Sequence, residues 1–261
     1  MRLVTFLPPG DDSARAGEVR GEEVVAFSSG SVRDRLAAAD LSSADGPSFP
    51  LEDVTLLAPI PRPAAILCVG LNYAEHAREG GQQLPEVPMI FAKLPNSSIP
   101  PGGPVRTKPA ISHRLDYEAE LAAVMGVGGR IAGWAVANDL SARDLQRAEP
   151  RWVRGKAFDD SCPWGPWITT VDELPDAGSL RIRSWVNGEP RQDSTTADMI
   201  FSSQAIVDFI SEAITLEPGD LILTGTPQGV GQAMDPPTFL RPGDVVRVEI
   251  EALGAIEHPI A

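Results

Sequence analysis

The sequence predicts an α+β fold that is rich in short strands, has few helices and opens with a small N-terminal subdomain. Three observations carry this. Glycine (24) and proline (25) recur throughout the 261 residues and cut the chain into short pieces, which disfavours a helical bundle. The apolar pieces between them, such as AILCVG and VVRVEI, have strand length. Asn187-Gly188 is a two-residue hairpin signal of the type I′ class.

In order along the chain, Leu3–Leu7 and Val24–Phe27 read as strands, Val32–Ala39 as a small helix, and Ser42–Pro50 as a Ser/Asp/Gly/Pro loop. These make a subdomain of residues 1–60. Pro59, Pro61 and Pro63 stiffen the link to the larger unit, residues 61–261. There AILCVG from Ala64 reads as a buried strand, and Asn72 as the cap of a helix from Tyr73 to Gly80 that Gly81 helps to stop. Further strands are expected at Met89–Lys93, Tyr117–Met125, Trp134–Asn138, Trp167–Thr170 and Arg181–Val186, the last paired through Asn187-Gly188 with the segment after Glu189. The longest helical pattern is Met199–Ile214. Its Ile200, Ile206, Phe209, Ile210 and Ile214 share a stripe, with Asp198 as cap. Pro-Gly-Asp turns at Pro218 and Pro242 precede the runs LILTG and VVRVEI.

Composition narrows the function. Hydrophobic residues at 43% and charged residues at 22% fit a globular protein. A formal charge of −14 repels phosphate backbones and anionic lipid, and no basic patch offsets it, so neither nucleic acid nor membrane is expected as a partner. The longest apolar stretch, Ala64–Leu71, is too short to span a bilayer, and the N-terminus runs into Pro8, Pro9 and Gly10 rather than a signal segment. Two cysteines, Cys68 and Cys162, cannot form a disulfide framework, which places the expected location in the cytoplasm.

The chemistry concentrates in three segments. In DYEAEL, a strand would direct Glu118 and Glu120 from one face and Ala119, Leu121 and Ala123 from the other. Two such carboxylates repel unless a cation or protons lie between them; a lone E-x-E is otherwise an exposed polar face. In NDLSARD, Asp139 follows the apolar run Trp134–Ala137 and so sits at a strand end, while Ser141 and Asp144 have capping-box spacing. Asp139 can join the two glutamates around one ion. Three oxygen donors without nearby Cys or His suit Mg²⁺, Mn²⁺ or Ca²⁺ better than Zn²⁺. In NYAEHAREG, His76 and Glu79 are three apart on a helix, where a carboxylate can orient an imidazole as a general base; alone, such a pair is more often a surface contact. His113 and His258 read as surface or structural.

Taken together, GLNYAEHARE, PMIFAK, LDYEAEL, NDLSARDLQ, RGKAFD, CPWGPWITT, VNGEPRQDSTTADMIF, LEPGDLILTGTPQGVG and LRPGDVV cover about residues 60 to 255. In this order they resemble the fumarylacetoacetate hydrolase superfamily. The resemblance implies a mixed β-sheet roll, a homodimer, and a divalent ion, Mg²⁺ or alternatively Mn²⁺ or Ca²⁺, held by Glu118, Glu120 and Asp139. It implies that His76 and Glu79 activate water and that Lys156, Arg143 and Gln146 hold the anionic substrate. Thr226 and Tyr73 would contact the substrate, with Tyr73 and Lys93 lying beside the site.

The chain departs from the family in two places. Only eighteen residues separate Glu120 from Asp139, where most relatives carry a helix, and His258 replaces a common Asn.

The activity implied is hydrolysis or decarboxylation of a C–C bond in a small 2-oxo or 2,4-dioxo acid, with the ion stabilising an enolate. An alternative is isomerisation of a 2-hydroxymuconate-type diacid, and a third, lesser reading is a non-catalytic metal-binding homologue. The loops Gly81–Pro88 and Gly231–Pro237 are expected to set specificity and to order on ligand binding.

Overall fold

In the computed structural model, which describes residues 1–106 and 112–261, the chain is dominated by a mixed sheet with few, short helices. Ten strands of a twelve-stranded sheet run in the order Ser48–Pro50, Glu23–Ala26, Arg15–Arg20, Arg2–Leu7, Cys162–Thr170, Ile131–Asn138, Ala119–Met125, Leu221–Leu223, Ile66–Gly70 and Met89–Lys93. A four-stranded antiparallel sheet of Arg181–Val186, Glu189–Thr195, Val245–Ile250 and Gly254–Pro259 stands apart from it.

The large sheet is covered on both faces, so its central strands are buried throughout. Leu121, Ala123 and Met125 pack with Ile182, Val248 and Ile256 of the small sheet and with Ile206 and Ile210 of helix Ser203–Ser211. From the other face, Ala122 and Val124 pack with Leu3, Val32, Leu36 and Trp164. The N-terminal strands thus extend the same sheet, with Leu3 opposite Ile168.

Most expected strands form, and the Asn187-Gly188 hairpin has both residues at positive φ (53° and 79°), as a type I′ turn requires. Strand Arg15–Arg20 was not expected, because RAGEVR carries no apolar alternation.

Three local expectations are corrected. Asn72 does not cap the helix, which runs Ala74–Glu79 behind Tyr73 with no side-chain cap; its amide instead donates to Phe201 O and Thr224 O and accepts from Phe201 N. The helix expected from Met199 to Ile214 spans only Ser203–Ser211 and is capped by Ser202, not Asp198. Asn72 O and Tyr73 hold residues 199 and 200 in bridging contacts, which keeps that stretch extended. Ser141 and Asp144 form no capping box: Ser141 Oγ donates to Asp139 O, and the Asp144 carboxylate accepts from Ser112 Oγ and His113 N.

His258 is fully buried in the small sheet. The Asn138 amide oxygen accepts from Glu118 N, so its NH₂ must donate to His258 Nε2 at 3.0 Å, which leaves that nitrogen unprotonated. Burial pushes the imidazole down to about 3 from 6.5. The unfolded chain therefore binds one more proton than the folded chain between those values. Full stability is present above about pH 6.5 and is lost on acidification, by up to about 1.4 kcal/mol per pH unit. Urea unfolding at several pH values should show this extra slope in the wild type and not in His258→Gln; equal slopes would refute it.

Candidate active site

Strand pairing assembles the site. In the hairpin of Ala119–Met125 and Ile131–Asn138, Ala119 lies opposite Asn138, and Asp139 N donates to Glu118 O at 2.9 Å. The two ends of the hairpin therefore carry their carboxylates together. The short connection between Glu120 and Asp139 is what makes this a tight hairpin, turned by Val127–Gly129. Leu221–Leu223 lies antiparallel to Ala119–Met125, so the chain passes over Glu120 as it leaves the strand. There Gly225 N donates to Glu120 Oε2 at 2.7 Å. Gly225 has φ of 96°, and a Cβ would lie 2.7 Å from Asn72 Cβ, so no side chain fits. Ile66–Gly70 runs parallel to Leu221–Leu223 and delivers the His76 helix from the same end.

One oxygen from each of Glu118, Glu120 and Asp139 lies within 4.8 Å of the others, and all three residues are buried. Lys156 Nζ bridges Glu118 Oε2 (2.7 Å) and Asp139 Oδ2 (2.6 Å). Lys93 Nζ binds Asp139 Oδ1 at 2.7 Å, and Arg143 Nη1 binds Glu118 Oε1 at 2.6 Å. Burial alone would raise the Glu118 carboxyl, but Lys156 and Arg143 outweigh it and hold the group low. Burial would likewise lower Lys156, but Asp139 and Glu118 raise it. Glu120 is different. Burial, then Asp139 and Glu118, push it well above the carboxylate range, and its one hydrogen-bond partner among the described residues is a backbone N–H.

The trio thus passes a chemical test for a divalent ion. Three hard oxygen donors converge, and one of them, Glu120, has no side-chain ion pair among the described residues and a carboxyl that its buried acidic neighbours push up, the condition a divalent ion relieves.

Glu118 and Glu120 open on a cavity of about 470 Å³ whose wall includes His76, Arg143, Gln146, Lys156, Thr226 and Gln232. Asp139 lies below the wall. His76 Nδ1 is 2.8 Å from Glu79 Oε1. A carboxylate only accepts, so Nδ1 carries the proton and Nε2 is left as the base. Gly229 N donates to both Glu79 oxygens at 3.0 and 3.2 Å, which fixes that carboxylate. Gln146 Oε1 accepts from Arg143 Nη1 (3.0 Å), and Thr226 Oγ1 accepts from Gln192 Nε2 (2.7 Å).

Tyr73, expected to meet the substrate, is not on the cavity wall. It is fully buried, bridged to Met199, and its hydroxyl has no partner among the described residues. Pairing of the segment with Met199 turns the ring into the protein, which residue spacing could not show.

Local patterns missed several residues. Asp116 was quoted in DYEAEL without a role, yet it is fully buried against Arg143. Gln192 accepts from Ala119 N and donates to Thr226 Oγ1, which ties the small sheet to the site. The signal for Asp116 was an acid inside an apolar strand edge; Gln192 carried none. The expected lid Gly231–Pro237 is tied at its start, where Gly231 N and Gln232 N donate to Asp116.

The chain is similar to several known proteins. The family model described as fumarylacetoacetate (FAA) hydrolase C-terminal matches residues 65–261. A mitochondrial oxaloacetate tautomerase of Xenopus laevis is 44% identical over 220 residues, covering 80% of this chain and 69% of that protein. A fumarylacetoacetate hydrolase from the psychrophile Exiguobacterium antarcticum superposes with a TM-score of 0.89 at 33% identity, over 100% of this chain and 99% of that one. A 2-hydroxyhepta-2,4-diene-1,7-dioate isomerase from Mycobacterium marinum gives 0.83 at 34% identity, over 100% and 98%.

Proposed function

The chain belongs to the fumarylacetoacetate hydrolase family, and from that premise we propose that it is a divalent-metal-dependent enzyme that cleaves a C–C bond in a small 2-oxo or 2,4-dioxo acid by way of an enolate. The observation that carries this reading is the buried trio Glu118, Glu120 and Asp139, of which the two glutamates line a cavity that cations and a poised base also line.

Glu118, Glu120 and Asp139 would hold the ion, Mg²⁺ or Mn²⁺. When bound, the ion supplies the positive charge and two-point chelation that make an enolate tolerable. Lys156, pinned between Glu118 and Asp139, lines the cavity, and Arg143 adds a second cation to its wall. These two groups bind and orient an anionic acid despite the chain's net negative charge. His76 Nε2, freed by the Glu79 contact at Nδ1, removes a proton from water. Gln146 and Thr226 present hydrogen-bonding groups at the same wall.

A second reading, keto-enol tautomerisation or isomerisation of a diacid, is favoured by the similarity to proteins named oxaloacetate tautomerase and heptadiene-dioate isomerase. His76 separates the two. Protein loaded with Mg²⁺ is to be given an acylpyruvate and oxaloacetate in turn, with products followed by NMR. Cleavage products should appear, and His76→Ala should lower their rate by about 10²–10⁴-fold. Tautomer exchange without cleavage, largely intact in His76→Ala, would replace the first reading by the second. No change in any substrate would sink both.

The proposal includes two further parts. A homodimer is supported by the family resemblance, and residence in the cytoplasm by two free, buried cysteines. Among the described residues no helix is long and apolar enough to cross a membrane.

A further inference from the structure

Asp116 is fully buried and belongs neither to the carboxylate trio nor to the cavity wall, yet it is saturated with donors. Its Oδ1 accepts from Gly231 N (2.8 Å) and Tyr117 N (3.0 Å), and its Oδ2 from Gln232 N (3.0 Å) and Arg143 Nε (2.8 Å). Two elements distant in sequence therefore close on one carboxylate: the helix residue Arg143 and the segment 229–232. The segment is held from the other side as well. Gly229 N donates to Glu79, and Tyr117 Oη donates to Gly229 O at 3.0 Å.

The consequence for Arg143 is geometric. Asp116 takes Nε, while Glu118 and Gln146 take Nη1. With two corners of a planar guanidinium fixed, the third is aimed. Nη2 is buried and has no partner among the described residues, and Arg143 lines the cavity. A buried donor of this kind is costly to leave unmet, so the arrangement suits a ligand that supplies an oxyanion.

We propose that Asp116 is a positioning residue. It locks Arg143 and the segment 229–232 into one unit, so that Nη2 is set for the substrate's carboxylate before the substrate arrives, and the same unit steadies Glu79 behind His76. This rests on the reading of the cavity as the site of a small anionic acid. Gly231 fits the same idea, since a Cβ there would lie 2.0 Å from Thr238 O and 2.8 Å from Asp116 Oδ1. Only a glycine lets the segment approach Asp116 so closely.

The test uses the full chain loaded with Mg²⁺ and oxalate as the probe. Calorimetry gives oxalate and Mg²⁺ affinities, turnover gives KM, and amide hydrogen exchange follows residues 229–232. In Asp116→Asn, oxalate affinity should fall at least about tenfold, as expected for losing a charge-assisted contact. KM should rise in parallel, Mg²⁺ affinity should stay within about threefold, and exchange in the segment should quicken. Should that variant not fold, Gly231→Ala disturbs the same junction from the loop side and should give the same pattern. Oxalate affinity within about threefold of wild type overturns the proposal. So does a fall in Mg²⁺ affinity that matches the fall for oxalate, because Asp116 would then be acting through Glu118. Failure of the wild type itself to bind oxalate would instead remove the functional reading, and this inference with it, before any variant is compared.

Discussion

Glu120→Gln is expected to make the metal-free protein more stable and the metal-loaded protein at least about 10²-fold less active, since even partners behind a metal ligand are worth about 10- to 100-fold. The two effects have one cause. Glu120 is buried beside Asp139 and Glu118, and these surroundings push its carboxyl well above 4.5. At neutral pH a folded-state carboxyl raised in this way works against folding, by the charge or by the proton it must take up. Glutamine keeps the acceptor for Gly225 N and removes the charge. Melting temperature without metal should rise by several degrees at pH 7. The gain should shrink as the pH falls towards 4.5, where the unfolded carboxyl also protonates. Calorimetric titration with Mn²⁺ should show the loss of affinity directly. A variant that melts lower than wild type without metal, or that binds Mn²⁺ as tightly, would contradict the assignment of Glu120 as the carboxylate that awaits an ion.

Lys156→Met carries the opposite sign. Lys156 Nζ is the bridge between Glu118 and Asp139, each fully or nearly fully buried. Its removal leaves two carboxylates deprived of that cation, and breaking a buried pair from one side costs about 3–5 kcal/mol. For a chain of this size the melting temperature should drop on the order of 10 °C. Saturating Mg²⁺ should restore more stability to this variant than it adds to the wild type, because the ion offsets the same negative charge. Activity should not return with stability, since a cation proposed to orient the substrate at the cavity wall is gone. Recovery of turnover with Mg²⁺ alone would reduce Lys156 to a structural counter-ion.

The three carboxylates and the His76/Glu79 pair were legible because their signals are local. Two acids two apart stand at the start of one strand, a third directly follows the next strand, and an imidazole and a carboxylate are three apart on a helix. The Asn72 and Ser141 expectations failed for a shared reason: a cap is one use of a short polar side chain, and buried backbone groups elsewhere competed for it. Asn72 satisfies Phe201 and Thr224, 129 and 152 residues away, and no window along the chain contains that competition.

By itself, the order of residues marked the candidate groups and the faces they share, because strand and helix periods are properties of the backbone. The folded chain decided their charge states and their aim. Lys93, Lys156 and Arg143 come from three separate elements to meet the acids, while Tyr73 turns inward and Asp116 gathers Arg143 and the segment 229–232. Electrostatic energy depends on distance and burial in three dimensions, and neither is a function of separation along the polypeptide.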